Sequence, residues 1–347
     1  MARLIGMDEA GLGPNLGPFV VAVTVWDVPR QFDFWQSFAE VLTNQPKTDD
    51  CRLHIADSKQ VFTPHRGFGA LERGVLAALR LTGASPASHD ELIECLRPDE
   101  NSLPPMPRGP LRTLSLFDDE ELEDVAPMDL VSADGELGST SDPCLRPWYR
   151  EHPVDLPFED HDFDVVEHWQ TCCEQLGARL IAVKATVVEP CRFNQLVNDY
   201  QNKSLVVSRL AFQLLRSVWD PSQGDTLVVG DKHGGRNRYQ ELLSEILDGQ
   251  RIKCLEESAE LSRYRVGKTE MRFQPRAEEY GPVALASMTA KYLRELAMTR
   301  FNRYWARHVD GLKPTQGYPT DAVRFHRQIS DAQQRLGISN QILWRVR

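Results

Sequence analysis

Residues 5–18 read Ile-Gly-Met-Asp-Glu-Ala-Gly-Leu-Gly-Pro-Asn-Leu-Gly-Pro, and this stretch leaves the chain little choice of local structure. Leu4, Ile5 and Met7 form a short apolar run that ends in two adjacent carboxylates, Asp8 and Glu9. Three glycines and two prolines follow, then a second apolar run from Phe19 to Trp26. The pattern is strand, acidic tip, glycine loop, strand. Adjacent strand residues point to opposite faces, so Asp8 and Glu9 flank one site only if the chain turns there, which the glycines permit. Hard oxygen ligands beside a loop of open backbone N–H groups suit Mg²⁺ and a phosphate. An exposed acidic hairpin tip accounts for the same residues equally well.

The 347 residues allow one large domain or two small ones. No apolar run is long enough to span a bilayer, and Asp8 and Glu9 interrupt any signal-like apolar segment near the start. These features predict a cytoplasmic chain without a membrane partner. The seven cysteines (Cys51, Cys95, Cys144, Cys172, Cys173, Cys191, Cys254) are scattered and contain no Cys-x-x-Cys. That predicts reduced thiols and no zinc site. The net charge of −10 is unevenly spread. Between Ser85 and Val165, 21 acidic residues face 5 arginines and no lysine, so the rest of the chain carries about +6. The part bearing the glycine loop is therefore mildly basic, as a phosphate-binding surface requires.

Composition also divides the chain. Residues 85–165 are proline-rich and acidic, with the run Asp118–Asp124 and a Ser/Gly/Asp-rich stretch from Ser132 to Asp142. They read as an insertion, irregular at least from about Asp99 to Cys144, within a discontinuous domain of residues 1–84 and 166–347. His152, His161 and His168, which lie among acids, fit no metal spacing. In the main domain the pattern predicts a hairpin over about 2–9 and 18–26, a helix over 67–81 and a strand over 179–188. It further predicts one long helix over 193–218, a strand over 225–231, a helix over 239–247, strands over 251–257 and 262–266, and a helix over 281–308. The order implies a mixed central sheet with helices packed on it.

Two strands end in acids: the first at Asp8 and Glu9, the later one at Asp231, followed by the basic glycine turn Lys232-His-Gly-Gly-Arg-Asn-Arg238. Groups at strand ends converge on the crevice of an open α/β sheet. Asp57-Ser58-Lys59 offers a hydroxyl and an ammonium to a phosphate, or an ordinary helix N-cap.

The first motif resembles that of type 2 ribonucleases H (ribonuclease HII), Gly-Ile-Asp-Glu-Ala-Gly-Arg-Gly-Pro, with Leu12 in place of the arginine. Asp57-Ser58-Lys59 resembles that family's Asp-Ser-Lys, and Asp231 its third acid. The helix Val283-Ala-Leu-Ala-Ser287-Met-Thr-Ala-Lys291 is similar to its Ala-Ala-Ser-Ile-Ile-Ala-Lys-Val. The family's fourth acid stands just before that helix. Ungapped it falls on Ala277, with one deletion on Glu278, and Glu279 is adjacent. Gly317-Tyr318-Pro319-Thr320 resembles the family's Gly-Tyr-Gly-Thr, and residues 336–345 its closing segment.

The resemblance implies a ribonuclease H-like α/β fold and a metal-dependent endonuclease acting on RNA–DNA hybrids or on ribonucleotides in duplex DNA, as a monomer. Asp8, Glu9, Asp231 and Glu278 would hold two Mg²⁺ or Mn²⁺ ions. The Gly11-Leu12-Gly13 backbone would read the 2′-hydroxyl. Ser58, Lys59, Lys232 and Lys291 would face phosphates, with Ser287 and Tyr318 completing the substrate contacts. Leu12 and the displaced fourth acid leave two other readings open: a protein that binds hybrid or structured nucleic acid without cleaving it, and a nuclease of this fold acting on branched or structured nucleic acid.

Overall fold

The two apolar runs around the glycine loop form β1 (Ala2–Ala10) and β2 (Phe19–Val28), antiparallel and in unbroken register from Ala2 opposite Val28 to Ala10 opposite Val20. These and all later coordinates come from a computed structural model, which describes residues 1–63, 67–99, 103, 106, 146–150, 153–222, 224–247 and 249–346. After β2 come α1 (Phe34–Ser37), the short parallel pair β3 (Leu42–Thr43) and β4 (Leu53–His54), α2 (Ser58–Val61), α3 (Gly69–Leu81), α4 (His89–Leu96), α5 (Pro147–Arg150) and α6 (Asp164–Leu176). The strand β5 (Arg179–Val188), α7 (Pro190–Tyr200), α8 (Lys203–Val218), β6 (Thr226–Gly230) and α9 (Gln240–Ile246) follow. Then come β7 (Ile252–Glu257), β8 (Ser262–Val266), β9 (Thr269–Phe273), α10 (Gly281–His308), α11 (Pro319–Arg335) and α12 (Asn340–Leu343).

The seven-stranded sheet has the order β5-β2-β1-β6-β9-β8-β7. β5, β2 and β1 are antiparallel neighbours, and β6 and β9 run parallel to β1. This is the ribonuclease H-like mixed sheet that the motifs imply. Alternate residues of β2 feed two cores. Val20, Ala22, Trp26 and Val28 face α3, α6 and α10, whereas Phe19, Val21, Val23 and Val25 face α7 and α8. A third apolar cluster joins α10 to α11 and takes in Leu16 of the glycine loop.

The structure departs from the predicted pattern at several points, and α4 and α11 are among the helices that the pattern does not predict. The long helix over 193–218 is two helices, because Gln201 takes a left-handed conformation (φ +51°) and Asn202 caps α8 through its side chain. β9 goes unpredicted although Thr269, Met271 and Phe273 alternate inward. The cysteine expectation fails at Cys191, which is disulfide-bonded, whereas Cys51, Cys95, Cys172, Cys173 and Cys254 are free.

The described ends of the acidic insertion pack on the sheet domain. Leu92, Leu96, Trp148, Val154 and Leu156 are buried. Each such side chain contributes about 1.5–3 kcal/mol, which no solvated loop gathers. The ends also clasp each other: Ser88 bridges Asp155, the His89 N–H donates to the Val154 carbonyl and the Leu156 N–H to that of Ala87, each at 2.9 Å. Beyond the clasp, the wholly buried Glu72 carboxylate of α3 accepts the N–H groups of Phe158 (2.8 Å) and Glu159 (2.9 Å) and the Tyr292 hydroxyl (2.5 Å), and pairs with His161 Nε2 (2.8 Å). The stretch predicted to be irregular, Asp99–Cys144, lies outside the described residues apart from Asp99, Leu103 and Met106.

Candidate functional site

The acidic end of β1 projects past its parallel neighbour, since β6 stops at Gly230 opposite Met7. Asp8 and Asp231 thus stand at the carboxyl ends of adjacent parallel strands, the edge at which ligands bind in open α/β sheets. No turn separates Asp8 from Glu9. β1 stays in register to Ala10 and the chain turns at Gly11 (φ +88°), so the two acids reach the site from the strand's overhanging end.

α10 brings the fourth acid. Gly6 lets the start of α10 sit directly on β1, where a Cβ would lie 2.2 Å from the Pro282 carbonyl carbon. The Thr24 hydroxyl donates to the Pro282 oxygen at 2.7 Å and locks that crossing. The 3-10 turn Ala277–Glu279 just before α10 is thereby held beside the strand ends, with Arg276 in a left-handed conformation (φ +57°) aiming it.

Electrostatics bind the four acids into one group. Burial raises Asp8 well above its ordinary value, and the charges of Glu9 and Glu278 raise it further against the opposing hydrogen bond of Ser287. Burial, Asp231 and Glu278 push Glu9 up to about 7, opposed by Lys59. Asp231 is raised chiefly by burial, although its Oδ1 accepts the Lys232 N–H at 2.8 Å. Glu278 is raised by burial and by Asp57 and Asp231. Burial alone would lower Lys59, but the carboxylates Asp57, Glu278, Asp8 and Asp231 outweigh it and raise the ammonium. Glu278, not the exposed Glu279, therefore joins the cluster. Glu279 is fixed through its backbone: its carbonyl accepts Trp35 Nε1 at 2.7 Å and its N–H donates to the Arg276 carbonyl at 3.2 Å.

Asp57, which the sequence offers as a helix cap and as the first residue of an Asp-Ser-Lys motif, lies beside the acidic group. It caps α2 by accepting the Lys59 N–H at 3.0 Å, and its charge raises both Asp231 and Glu278. Among the described residues no three of these acids have ligand atoms all within 4.8 Å of one another. The cluster is a set of hard oxygen donors crowded enough to resist ionising, with Lys59 as its counter-charge. Such a set fits divalent cations of the Mg²⁺ or Mn²⁺ type.

The remaining predicted contacts fall into two groups. Ser58 and Ser287 are buried against each other, oxygen to oxygen at 3.1 Å, with Ser287 next to Asp8. The Lys232 ammonium is held by Asn237 Oδ1 (2.7 Å), the Ser258 carbonyl (2.5 Å) and the Ser262 hydroxyl (3.2 Å). Lys291 pairs with Glu295 at 2.6 Å and lies over the Phe62 ring. Of the four groups expected to face phosphates, Lys59 is the one whose partners are the acids themselves. Tyr318, in contrast, is 48 % exposed and stands beside Gly13.

The glycine loop is clamped from beneath by residues that sequence reasoning missed. The buried Arg345 donates from Nη2 to the carbonyls of Gly11, Leu12 and Pro14, and Lys203 Nζ donates to the Leu12 carbonyl at 2.9 Å. The Arg345 N–H also donates to the Asn15 carbonyl, and Asn15 Nδ2 to the carbonyl of Arg345 (3.0 Å). With the carbonyls turned inward, Leu12 packs partly buried on the α7–α8 core. The available signal was an arginine that directly follows the apolar run Ile342-Leu343-Trp344. A recess of about 400 Å³ at the turn that follows Asp231 is lined by Ser204, Gly234, Gly235, Arg236, Asn237 and Arg238.

Fold and site together define a ribonuclease H-like α/β protein with an acidic centre at its strand ends. No protein-family model matches the chain, and no curated protein does. Among solved structures it is similar to the ribonuclease H2 of Pyrococcus horikoshii OT3, at 13% identity over 98% of this chain and 92% of that one, with a TM-score of 0.43. It is also similar to the RNase HII of Archaeoglobus fulgidus, solved in complex with PCNA (13%, 99% and 94%, 0.38). A third is the RNase H3 of Aquifex aeolicus (11%, 98% and 70%, 0.37). Likeness at this level adds nothing to the topology and geometry above, on which the fold class rests.

Proposed function

We propose that the chain is a metal-dependent endonuclease that hydrolyses the RNA strand of RNA–DNA hybrids or ribonucleotides in duplex DNA. The observation that carries this reading is the convergence of Asp8, Glu9, Asp231 and Glu278, from three separate segments, into one group that resists ionisation. These four would hold two Mg²⁺ or Mn²⁺ ions, which would activate water and stabilise the leaving oxygen when bound. The chain's own residues do the positioning. Arg345 and Lys203 hold the glycine loop with its carbonyls inward, leaving its outer backbone to meet a 2′-hydroxyl. Tyr318 offers a ring for stacking on a sugar or base. The arginine-lined recess beyond Asp231 suits the continuing phosphate backbone.

The test is cleavage of a hybrid by the purified chain. Activity is expected only with a divalent cation and is expected to vanish in Asp8→Asn and in Asp231→Asn, with circular dichroism unchanged. Hybrid cleavage that survives both substitutions overturns the mechanism. The second reading, a protein that binds hybrid without cutting it, is favoured by one observation: no three of the acids approach one another within 4.8 Å. Hybrid binding without cleavage under any divalent cation would establish it instead.

A further inference from the structure

A second group of potential ligands lies where the turn after α1 meets α6. His168 and Cys172 are four residues apart on α6 and so share one face of the helix. Glu40, in the turn after α1, meets them there. One ligand atom from each of Glu40, His168 and Cys172 lies within 4.8 Å of the other two, and His168 Nε2 is 3.7 Å from Glu40 Oε2. Among the described residues this is the one such group. Linear spacing hides it, because one ligand comes from a turn more than a hundred residues earlier.

The ligands stand on rigid supports. Glu40 follows Phe38 by two residues, and His168 and Cys172 flank Trp169. Phe38 and Trp169 are fully buried and meet edge to face at 6.2 Å, so the backbones that carry the ligands are packed against each other before any ion arrives. Cys172 is buried, whereas Glu40 and His168 are open to solvent, which gives an ion an entry path.

We infer that Glu40, His168 and Cys172 form a binding site for one borderline-soft divalent cation of the Zn²⁺ class. A nitrogen, a sulfur and an oxygen donor match Zn²⁺ or Co²⁺ and disfavour Mg²⁺, which takes oxygen alone. Three protein ligands leave the fourth position to water. The ion would pin the turn after α1 to α6. α1 in turn supports the segment that bears Glu278: Trp35 donates to the Glu279 carbonyl, and the Phe34 ring fills the space over Gly281. The site therefore braces the wall of the acidic centre without belonging to it, and the inference stands whether or not the chain is a nuclease.

Co²⁺ is the probe, titrated into the full chain under reducing conditions and followed by the thiolate-to-cobalt charge-transfer absorption. Expected is saturation at one equivalent, unchanged in Asp8→Asn, reversed by Zn²⁺ and untouched by a large excess of Mg²⁺. Cys172→Ser should abolish the band, and His168→Ala should weaken binding about tenfold or more. Absence of the band in the folded chain, or its persistence in Cys172→Ser, overturns the site. Should Cys172→Ser not fold, the solvent-exposed positions decide: unchanged affinity in both His168→Ala and Glu40→Gln overturns it equally.

Discussion

At position 278 a glutamate stands where the resemblance implies an aspartate. The charge of Glu278 raises both Asp8 and Glu9, whereas Glu279 is exposed and is anchored through its backbone. Neutralising the two side chains should therefore have unequal effects. Glu278→Gln is expected to lower metal-dependent kcat/KM on a hybrid by about 10–100-fold, the usual scale for weakening a metal's ligand environment. Glu279→Gln should leave it within about twofold, since surface changes of this kind disturb little. Equal losses in the two variants would remove Glu278 from the centre. Sequence alignment alone could not choose between these neighbours. The choice depends on how α10 crosses Gly6 and on the left-handed Arg276, and neither leaves a mark in a one-residue gap.

At the scale of elements, the glycine loop carries the prediction about substrate choice. An arginine between the two glycines would add a charge-assisted phosphate contact worth roughly 1.5–3 kcal/mol. Leu12 supplies none and instead packs on the α7–α8 core. A single ribonucleotide in DNA offers one 2′-hydroxyl and should suffer most from the missing contact, whereas a continuous RNA strand offers several registers. Cleavage of a long hybrid is therefore expected to exceed that of a single-ribonucleotide duplex, and Leu12→Arg to narrow the gap. Side-by-side cleavage by both proteins checks this, and a preference for the single ribonucleotide that Leu12→Arg does not alter would contradict it. Elements with a strong period were legible from the chain alone: β1, β2, β5, β6 and the start of α10 alternate or repeat as their burial demands. The break between α7 and α8 was not, because Gln201 adopts a left-handed conformation without the glycine that usually marks one. Nor was the loop clamp, since Arg345 lies more than three hundred residues from the carbonyls it holds.

For the whole molecule, the acidic centre sets a sign for the dependence of stability on pH. A carboxyl whose folded-state pKa is raised binds its proton more tightly folded than unfolded, so the folded state loses ground as pH rises between the two values. For Glu9 that window runs from its ordinary 4.5 to about 7, and Asp8, Asp231 and Glu278 act in the same direction. Carboxylates held low against burial by hydrogen bonds, Glu270 by Arg272 and Arg265 and Asp321 by Thr315 and Arg324, lose their contribution only as pH falls below the ordinary carboxylate range. The buried imidazoles of His89 and His233, lowered to about 4 and about 3, act in the opposite direction over part of the same range, so the contribution of the centre is read as a difference between variants. Glu9→Gln should raise the melting temperature of the metal-free protein more at pH 7 than at pH 4.5, and saturating Mg²⁺ or Mn²⁺ should shrink that difference. An effect of Glu9→Gln that is the same at both pH values would show that the carboxylates are not crowded in solution.

The clasp of Ser88 on Asp155, with the Glu72 anchor beyond it, has a bearing on how such a chain can change over time. The ends of the acidic stretch meet at that bridge, and α4 and α5 just inside it are packed through Leu92, Leu96 and Trp148. The sheet is thus tied to where the stretch leaves at α4 and returns at α5, and not to the number of residues between the two helices. In a chain segment closed at fixed ends each doubling of length costs only about 0.6 kcal/mol. Sequence between α4 and α5 could therefore be gained or lost with the packed ends in place, which gives this fold a site at which to acquire new sequence.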